Sequence, residues 1–128
     1  MLTTVTSGIQ ISVESNYEPA LSSPLMDNFI FSYFITIENK NDFAVQLLRR
    51  HWFIFDSCGF RREVEGPGIV GFTPVLQSGE VHRYNSACDI HSLRGTMRGY
   101  YSMTRVDDRS LFRVEVQMFK MEVPFSLN

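Results

Sequence analysis

The sequence predicts an all-β fold, a sandwich of two antiparallel sheets. Three observations carry that expectation. Apolar residues recur with a period of two, as half-buried strands require; turn-forming clusters interrupt them at short intervals; and no stretch of ten or more residues keeps a helical period.

Ile9, Ile11 and Val13 open the first alternating run, and Phe29, Phe31, Tyr33, Ile35 and Ile37 form the second. The cleanest is Phe112, Val114, Val116 and Met118, with Arg113, Glu115 and Gln117 between them, so those four apolar side chains are expected on one face. Further strands are predicted near Gln46 to Asp56, Arg61 to Glu65, Val81 to Ala87 and Thr96 to Arg105, seven or eight in all. Turns fall at Asn39-Lys-Asn-Asp42, Cys58-Gly59, Ser78-Gly79 and Asp107-Asp108. The longest loop runs from Glu18 to Asn28 and holds Pro19 and Pro24. A loop of that length in a compact domain is expected to bind something or to move.

With 128 residues the chain is read as one domain, 1–128, which buries roughly two thirds of its unfolded surface. Its 44% hydrophobic content, 11 Phe and 5 Tyr supply a core that needs neither metal nor disulfide. Twelve basic side chains against 14 acidic ones leave a net charge of -2, which lacks the positive field of a nucleic-acid binder, so no nucleic acid is expected as a partner. No run approaches the ~18 apolar residues of a membrane span, so no membrane insertion is expected. The start has neither the basic nor the apolar region of a secretory signal, and the expected location is cytoplasmic. Cys58 and Cys88 are accordingly expected to be reduced and buried.

Gly66-Pro-Gly-Ile-Val-Gly71 fits the G-x-G-x-x-G pattern, with Arg49, Arg50, Arg61 and Arg62 close in sequence as counter-charges. In a dinucleotide fold the third glycine opens a helix whose amides and dipole hold the phosphates. Pro74 and Gly79 leave no room for one here. Two readings follow: a non-helical nest of amides that holds an anion with the arginines, or turn and bulge glycines at the edge of a sandwich. The second is favoured. Alternation places Arg50 and Trp52 on one face and Arg49 and His51 on the other, with Trp52 a core anchor and Arg50 near its rim.

Cys88-Asp-Ile-His91, with His82 upstream, offers soft ligands but not four of them, and is read as a buried cysteine with surface histidines. Asp107-Asp108 belongs to a hairpin turn rather than to a carboxylate cage. No nucleophile elbow is present. No metal, no cofactor and no catalytic residue is therefore assigned.

Val45-Gln-Leu-Leu-Arg-Arg-His-Trp52, the glycine run with Pro74 and Gly79-Glu80, Tyr84, and Gly95-Thr-Met-Arg-Gly-Tyr-Tyr101 with Met103 together resemble the ApaG family, also called CorD. The likeness spans about Thr6 to Pro124 and implies a fibronectin type III-like or immunoglobulin-like sandwich. It further implies an association with cobalt resistance and magnesium efflux. Similar domains in an F-box subunit and a polymerase-interacting protein imply protein contact. Gly66, Gly68 and Gly71 match the family's proposed phosphate-binding motif. Two departures stand out: Phe72 and Thr73 replace the acidic residue common after the third glycine, and Gln117 replaces a proline, which is expected to extend strand pairing.

These readings combine into a non-enzymatic module that binds another protein through an edge strand or an exposed loop face, with homodimerisation open to it through the same edges. The alternative is a sensor that holds the pyrophosphate of a nucleotide with Gly66, Gly68 and Gly71 and with Arg49, Arg50, Arg61 and Arg62.

Overall fold

Nine strands and two short 3-10 turns make up residues 2–69 and 71–127, which the computed structural model describes. Val70, inside the glycine run, lies outside the described residues, as do Met1 and Asn128. The strands are β1 (Leu2–Thr6), β2 (Ile9–Tyr17), β3 (Phe29–Asn39), β4 (Val45–Asp56), β5 (Arg61–Pro67), β6 (Val75–Leu76), β7 (Val81–Ile90), β8 (Arg94–Arg105) and β9 (Leu111–Glu122). One sheet has the order β1-β2-β3-β7 and the other β5-β4-β8-β9, every pair antiparallel; β6 also pairs with β4. This is the sandwich that the alternation predicts.

Two strands escape the sequence reading for physical reasons. In β1 the apolar residues Leu2 and Val5 are three apart, and Val5 faces solvent with Thr3 while Leu2, Thr4 and Thr6 form the inner row. β6 is only two residues long.

The inner faces pack into one core. Ile9, Ile11 and Val13 of β2 and Phe31, Tyr33, Ile35 and Ile37 of β3 meet Trp52, Met97, Tyr101, Val114 and Phe119 of the facing sheet. Trp52 lies against Tyr33, Tyr101 and Phe119 at ring separations of 5.7, 6.0 and 6.5 Å, largely edge to face, the arrangement the ring quadrupole favours.

Strict alternation breaks at two bulges. In β4 the register shifts between Leu47 and Arg49, leaving Leu48 as the extra residue. The inner row therefore passes from the odd positions Val45 and Leu47 to the even ones Arg50, Trp52 and Ile54. In β9, Gln117 and Met118 oppose the single residue Arg98. The inner row runs Val114 and Val116, then Phe119 and Met121, and Met118 is 50% exposed instead of sharing the inner face. Gln117 thus interrupts the pairing it was expected to extend, while its side chain accepts a hydrogen bond from Thr4 Oγ1 at 3.3 Å.

Two buried polar residues fix the loops at opposite ends. Asn39 donates to the carbonyls of Phe43 and Leu76 at 2.8 and 3.0 Å. Asp56 accepts from the amide of His91 at 2.7 Å and from the Ser92 hydroxyl. Both cysteines are free, as expected, but only Cys88 is buried; Cys58 lies exposed in the β4–β5 turn, where no packed element covers it.

The sandwich has unlike sides. On one, β9 packs directly against β1 and β2, with Ser15 Oγ donating to the Lys120 carbonyl at 3.3 Å. On the other, the edges of β5 and β7 are bridged by side chains, Arg62 reaching the Asp89 carbonyl at 2.8 Å.

Gly99 lies where β8 passes beneath Trp52, and a Cβ there would collide with the His51 carbonyl and stand 2.8 Å from the indole. Gly99→Ala is expected to lower stability by at least ~2 kcal/mol, the usual range for an overpacked core, as read by urea unfolding.

Candidate functional site

The glycine run forms the interruption of an edge strand. β5 and β6 lie end to end along the same edge of β4, and the chain leaves that edge after Pro67 and rejoins it after Pro74. The Leu48 bulge receives it: the Leu48 carbonyl accepts from the Gly68 amide at 2.7 Å, and the Leu47 amide donates to Pro74 at 3.0 Å. Ile69 and Phe72 exchange amide and carbonyl at 2.9 and 3.1 Å, which turns the fully buried Ile69 into the core. The amides of Gly68, Ile69 and Phe72 therefore already have acceptors within the protein. No helix follows Gly71 among the described residues, in accord with the breaker residues of the sequence.

Each glycine has a local reason. Gly68 has a φ of +57°, and a Cβ on it would collide with the Phe72 carbonyl. A Cβ on Gly66 would stand 3.2 to 3.3 Å from the Arg50 guanidinium, which lies directly over it. Arg50 Nη1 donates to the carbonyls of Pro67 and Gly68 at 2.9 and 3.2 Å. The loop thus turns carbonyl oxygens toward its nearest arginine, a polarity suited to a cation.

The four arginines separate by strand face. Arg50 and Arg62 belong to the inner rows of β4 and β5 and line one cleft of about 370 Å³ along the β5–β7 seam. Arg49 is on the outer face, paired with Glu65 at 3.0 Å, and Arg61 lies over the Phe55 ring at 5.6 Å. Arg62 pairs with Ile54 and Gly66 with Arg50, so four strand residues, roughly 13 Å, separate Arg62 from the glycine loop. Closeness in sequence conceals the length of a strand.

Polar side chains concentrate in this seam. The Tyr84 and Tyr101 hydroxyls bond each other, and the Tyr33 hydroxyl bonds Ser86. Burial pushes all three phenols above their ordinary range, while the positive charge of Arg50 opposes the shift. Burial likewise pushes the Cys88 thiol up, against the pull of Arg62, whose Nη2 lies 3.4 Å from Sγ. A raised thiol is a poor nucleophile. His91 is exposed, as the surface reading expects, whereas His82 is half-buried between Phe72 and Tyr84. Among the described residues no group of three or more His, Cys, Asp or Glu is placed to hold a metal ion, and no helix is long and apolar enough to cross a membrane.

Two surface features were not drawn from the sequence. On the outer face, Arg98 lies 4.4 Å over Phe53 and Arg113 lies 4.2 Å over Tyr100, with His51 stacked on Phe53 at 4.5 Å. Alternation from Arg49 to Phe55 already places His51 and Phe53 on one face. At one end of the sandwich the loops carry Leu21, Leu25, Met26, Phe60, Leu93 and Phe125, all substantially exposed. The sequence already shows these apolar residues among the serines and acids of the turns.

A family model described as the ApaG domain matches residues 19–105. The Protein ApaG of Anaeromyxobacter dehalogenans (strain 2CP-C) is 42% identical over 128 residues, covering all of both chains. That of Proteus mirabilis (strain HI4320) is 38% identical over 122 residues, 95% of this chain and 97% of the relative. A crystal structure of an ApaA protein from Bordetella pertussis superposes with a TM-score of 0.87 at 34% identity, covering 91% of this chain and 94% of that one. The fold is the fibronectin type III-like sandwich.

Gly68→Ala is expected to lower stability by about 2–4 kcal/mol, through strain at positive φ and the clash with Phe72. Gly71→Ala, with φ +88° but open space around its Cβ, is expected to lose about 1 kcal/mol. Urea unfolding of the two variants checks the difference. The seam phenols make a second prediction. Their folded values lie above the ordinary 10.0, so above pH 10 the unfolded chain releases protons that the folded one retains. Their contribution is fully present below that pH, and stability then falls with rising pH by up to about 1.4 kcal/mol per unit for each phenol. Unfolding midpoints between pH 8 and 11 test this, and Tyr84→Phe is expected to flatten the fall.

Proposed function

This chain belongs to the ApaG domain family, and from that membership we propose that it is a non-enzymatic binding module whose partner is another protein. The observation that carries the reading is the apolar end of the sandwich, where six large apolar side chains stand exposed on neighbouring loops. Apolar residues gathered in this way mark interaction surfaces more than they mark folding requirements. The seam supports the same view, because its polar groups serve each other: Arg50 the loop carbonyls, Arg62 Asp89, and Tyr84 Tyr101. The link with magnesium and cobalt homeostasis is read as indirect, acting from the cytoplasm through a contacted protein rather than by ion transport. A second copy of the chain remains a candidate partner through the strand edges.

A second reading is favoured by one observation, that Arg50 and Arg62 line the same cleft. In it a nucleotide pyrophosphate lies in the seam between them, with Gly66, Gly68 and Gly71 shaping one end and Arg49 and Arg61 outside the site.

Isothermal calorimetry separates the two. The expected result is saturable one-to-one binding of a purified protein partner at micromolar affinity or tighter, with no heat from millimolar diadenosine tetraphosphate. Saturable binding of the nucleotide, lost in Arg50→Gln and Arg62→Gln with the fold retained, would overturn the primary reading.

A further inference from the structure

The loop between β2 and β3 is built rather than slack. Its stem is closed by the Glu18 amide on the Ile30 carbonyl at 2.9 Å, and by Ser22 Oγ, which donates to the Glu18 carbonyl and accepts from the Ile30 amide, both at 2.8 Å. Higher up, Ser23 and Asn28 exchange amide and carbonyl at 2.7 and 3.0 Å around a 3-10 turn of Pro24–Met26. His91 Nδ1 ties the Asp27 carbonyl to the adjoining loop at 3.1 Å. Pro19 and Pro24 further limit what the backbone can do.

What this scaffold holds up is apolar. Leu25 is 99% exposed, Met26 76% and Leu21 66%. Nothing in the chain's own packing uses the Leu25 side chain. A solvent turn would be served better by serine or lysine, so fixing leucine and methionine at the tip prepares a contact whose ordering cost is already met.

Charge narrows the occupant. The Glu18 carboxylate is held at the stem, accepting from Ser32 Oγ at 2.7 Å, so the tip, residues 19–29, carries Asp27 as its single charge and no lysine, arginine or histidine. An acidic tip is disfavoured at an anionic lipid surface, where basic residues are wanted. A second copy meeting tip to tip across a two-fold axis would set like charges against each other. A protein pocket with an apolar floor and a basic rim suits both the shape and the sign.

We propose that the β2–β3 loop is a preformed knob, with Leu25 and Met26 its anchors, which inserts into an apolar pocket rimmed by basic side chains on a partner protein. The proposal rests on the protein-binding reading and names the surface that does the binding.

Photocrosslinking with p-benzoylphenylalanine at position 25 tests it, with Phe34 and Val75 as comparison positions because both are about half exposed and lie away from this end. The expected result is an adduct with one other protein from position 25 and none from 34 or 75. That protein, identified and purified, should bind the native chain, lose at least thirtyfold in affinity with Leu25→Asp, and stay within threefold with Leu25→Met. Circular dichroism is expected to be unchanged, since Leu25 packs against nothing. Asp27→Asn, which suits the left-handed backbone at φ 51°, should weaken binding severalfold and reduce its salt dependence. Adducts only from 34 or 75 would overturn the knob and leave the protein-binding reading standing. No adduct from any of the three would count against both. An adduct with a second copy, pelleting with anionic phosphatidylglycerol vesicles that Leu25→Asp abolishes, or native affinity in Leu25→Asp would each overturn the knob.

Discussion

The guanidinium of Arg50, lying over Gly66 and bonded to the carbonyls of Pro67 and Gly68, is the contact on which the open side of this sandwich depends. Two sheets can pack face to face along their middles on apolar burial alone, but their edges need individual solutions. On the β1–β9 side the edges meet directly. On the β5–β7 side the edge strand is broken between β5 and β6, and the chain must leave the sheet, place Ile69 in the core and return. A charged planar group stacked on a residue without a side chain, bonding two carbonyls that the missing ladder would leave open, holds that excursion in place.

The groups that the glycine run presents differ from those of a phosphate loop. In a phosphate loop the backbone presents amides to the ligand; here the amides of Gly68, Ile69 and Phe72 point to Leu48, Phe72 and Ile69, and the carbonyls point to the arginine. The same residue types yield opposite electrostatics because the chain continues into a strand instead of a helix. In the polar seam beyond, the Tyr84 and Tyr101 hydroxyls bond each other, the Tyr33 hydroxyl bonds Ser86, and burial raises these phenols and the Cys88 thiol. At one end the β2–β3 loop presents Leu21, Leu25 and Met26 to solvent.

The strands were legible wherever alternation ran undisturbed, as in Ile9 to Val13 and Phe29 to Ile37. The two bulges were not, because an extra residue leaves no compositional mark: Leu48 and the pair Gln117 and Met118 look like any strand residues, yet each reverses which side chains face inward. Met118 faces outward for that reason. β1 shows no apolar alternation because two of the three residues of its inner row are threonines, Thr4 and Thr6. The functional residues divide similarly. Gly66, Gly68 and Gly71 were recognisable as a unit, and breaker residues after them correctly denied a helix. The arginines were not separable, since the opposite faces of Arg49 and Arg50 follow from alternation but the distance of Arg61 and Arg62 from the loop depends on the hairpin register. The exposure of Leu25 depends on a loop conformation that no sequence period encodes.

The most direct test of the architectural role of the glycine run is amide hydrogen exchange at Gly68, Ile69 and Phe72, followed by NMR with and without diadenosine tetraphosphate and magnesium. With these amides already bonded within the protein, they should exchange slowly in the free chain and at the same rate when nucleotide is added. Fast exchange in the free protein that slows on addition of nucleotide would mean that the amides await an anion, and would contradict the account.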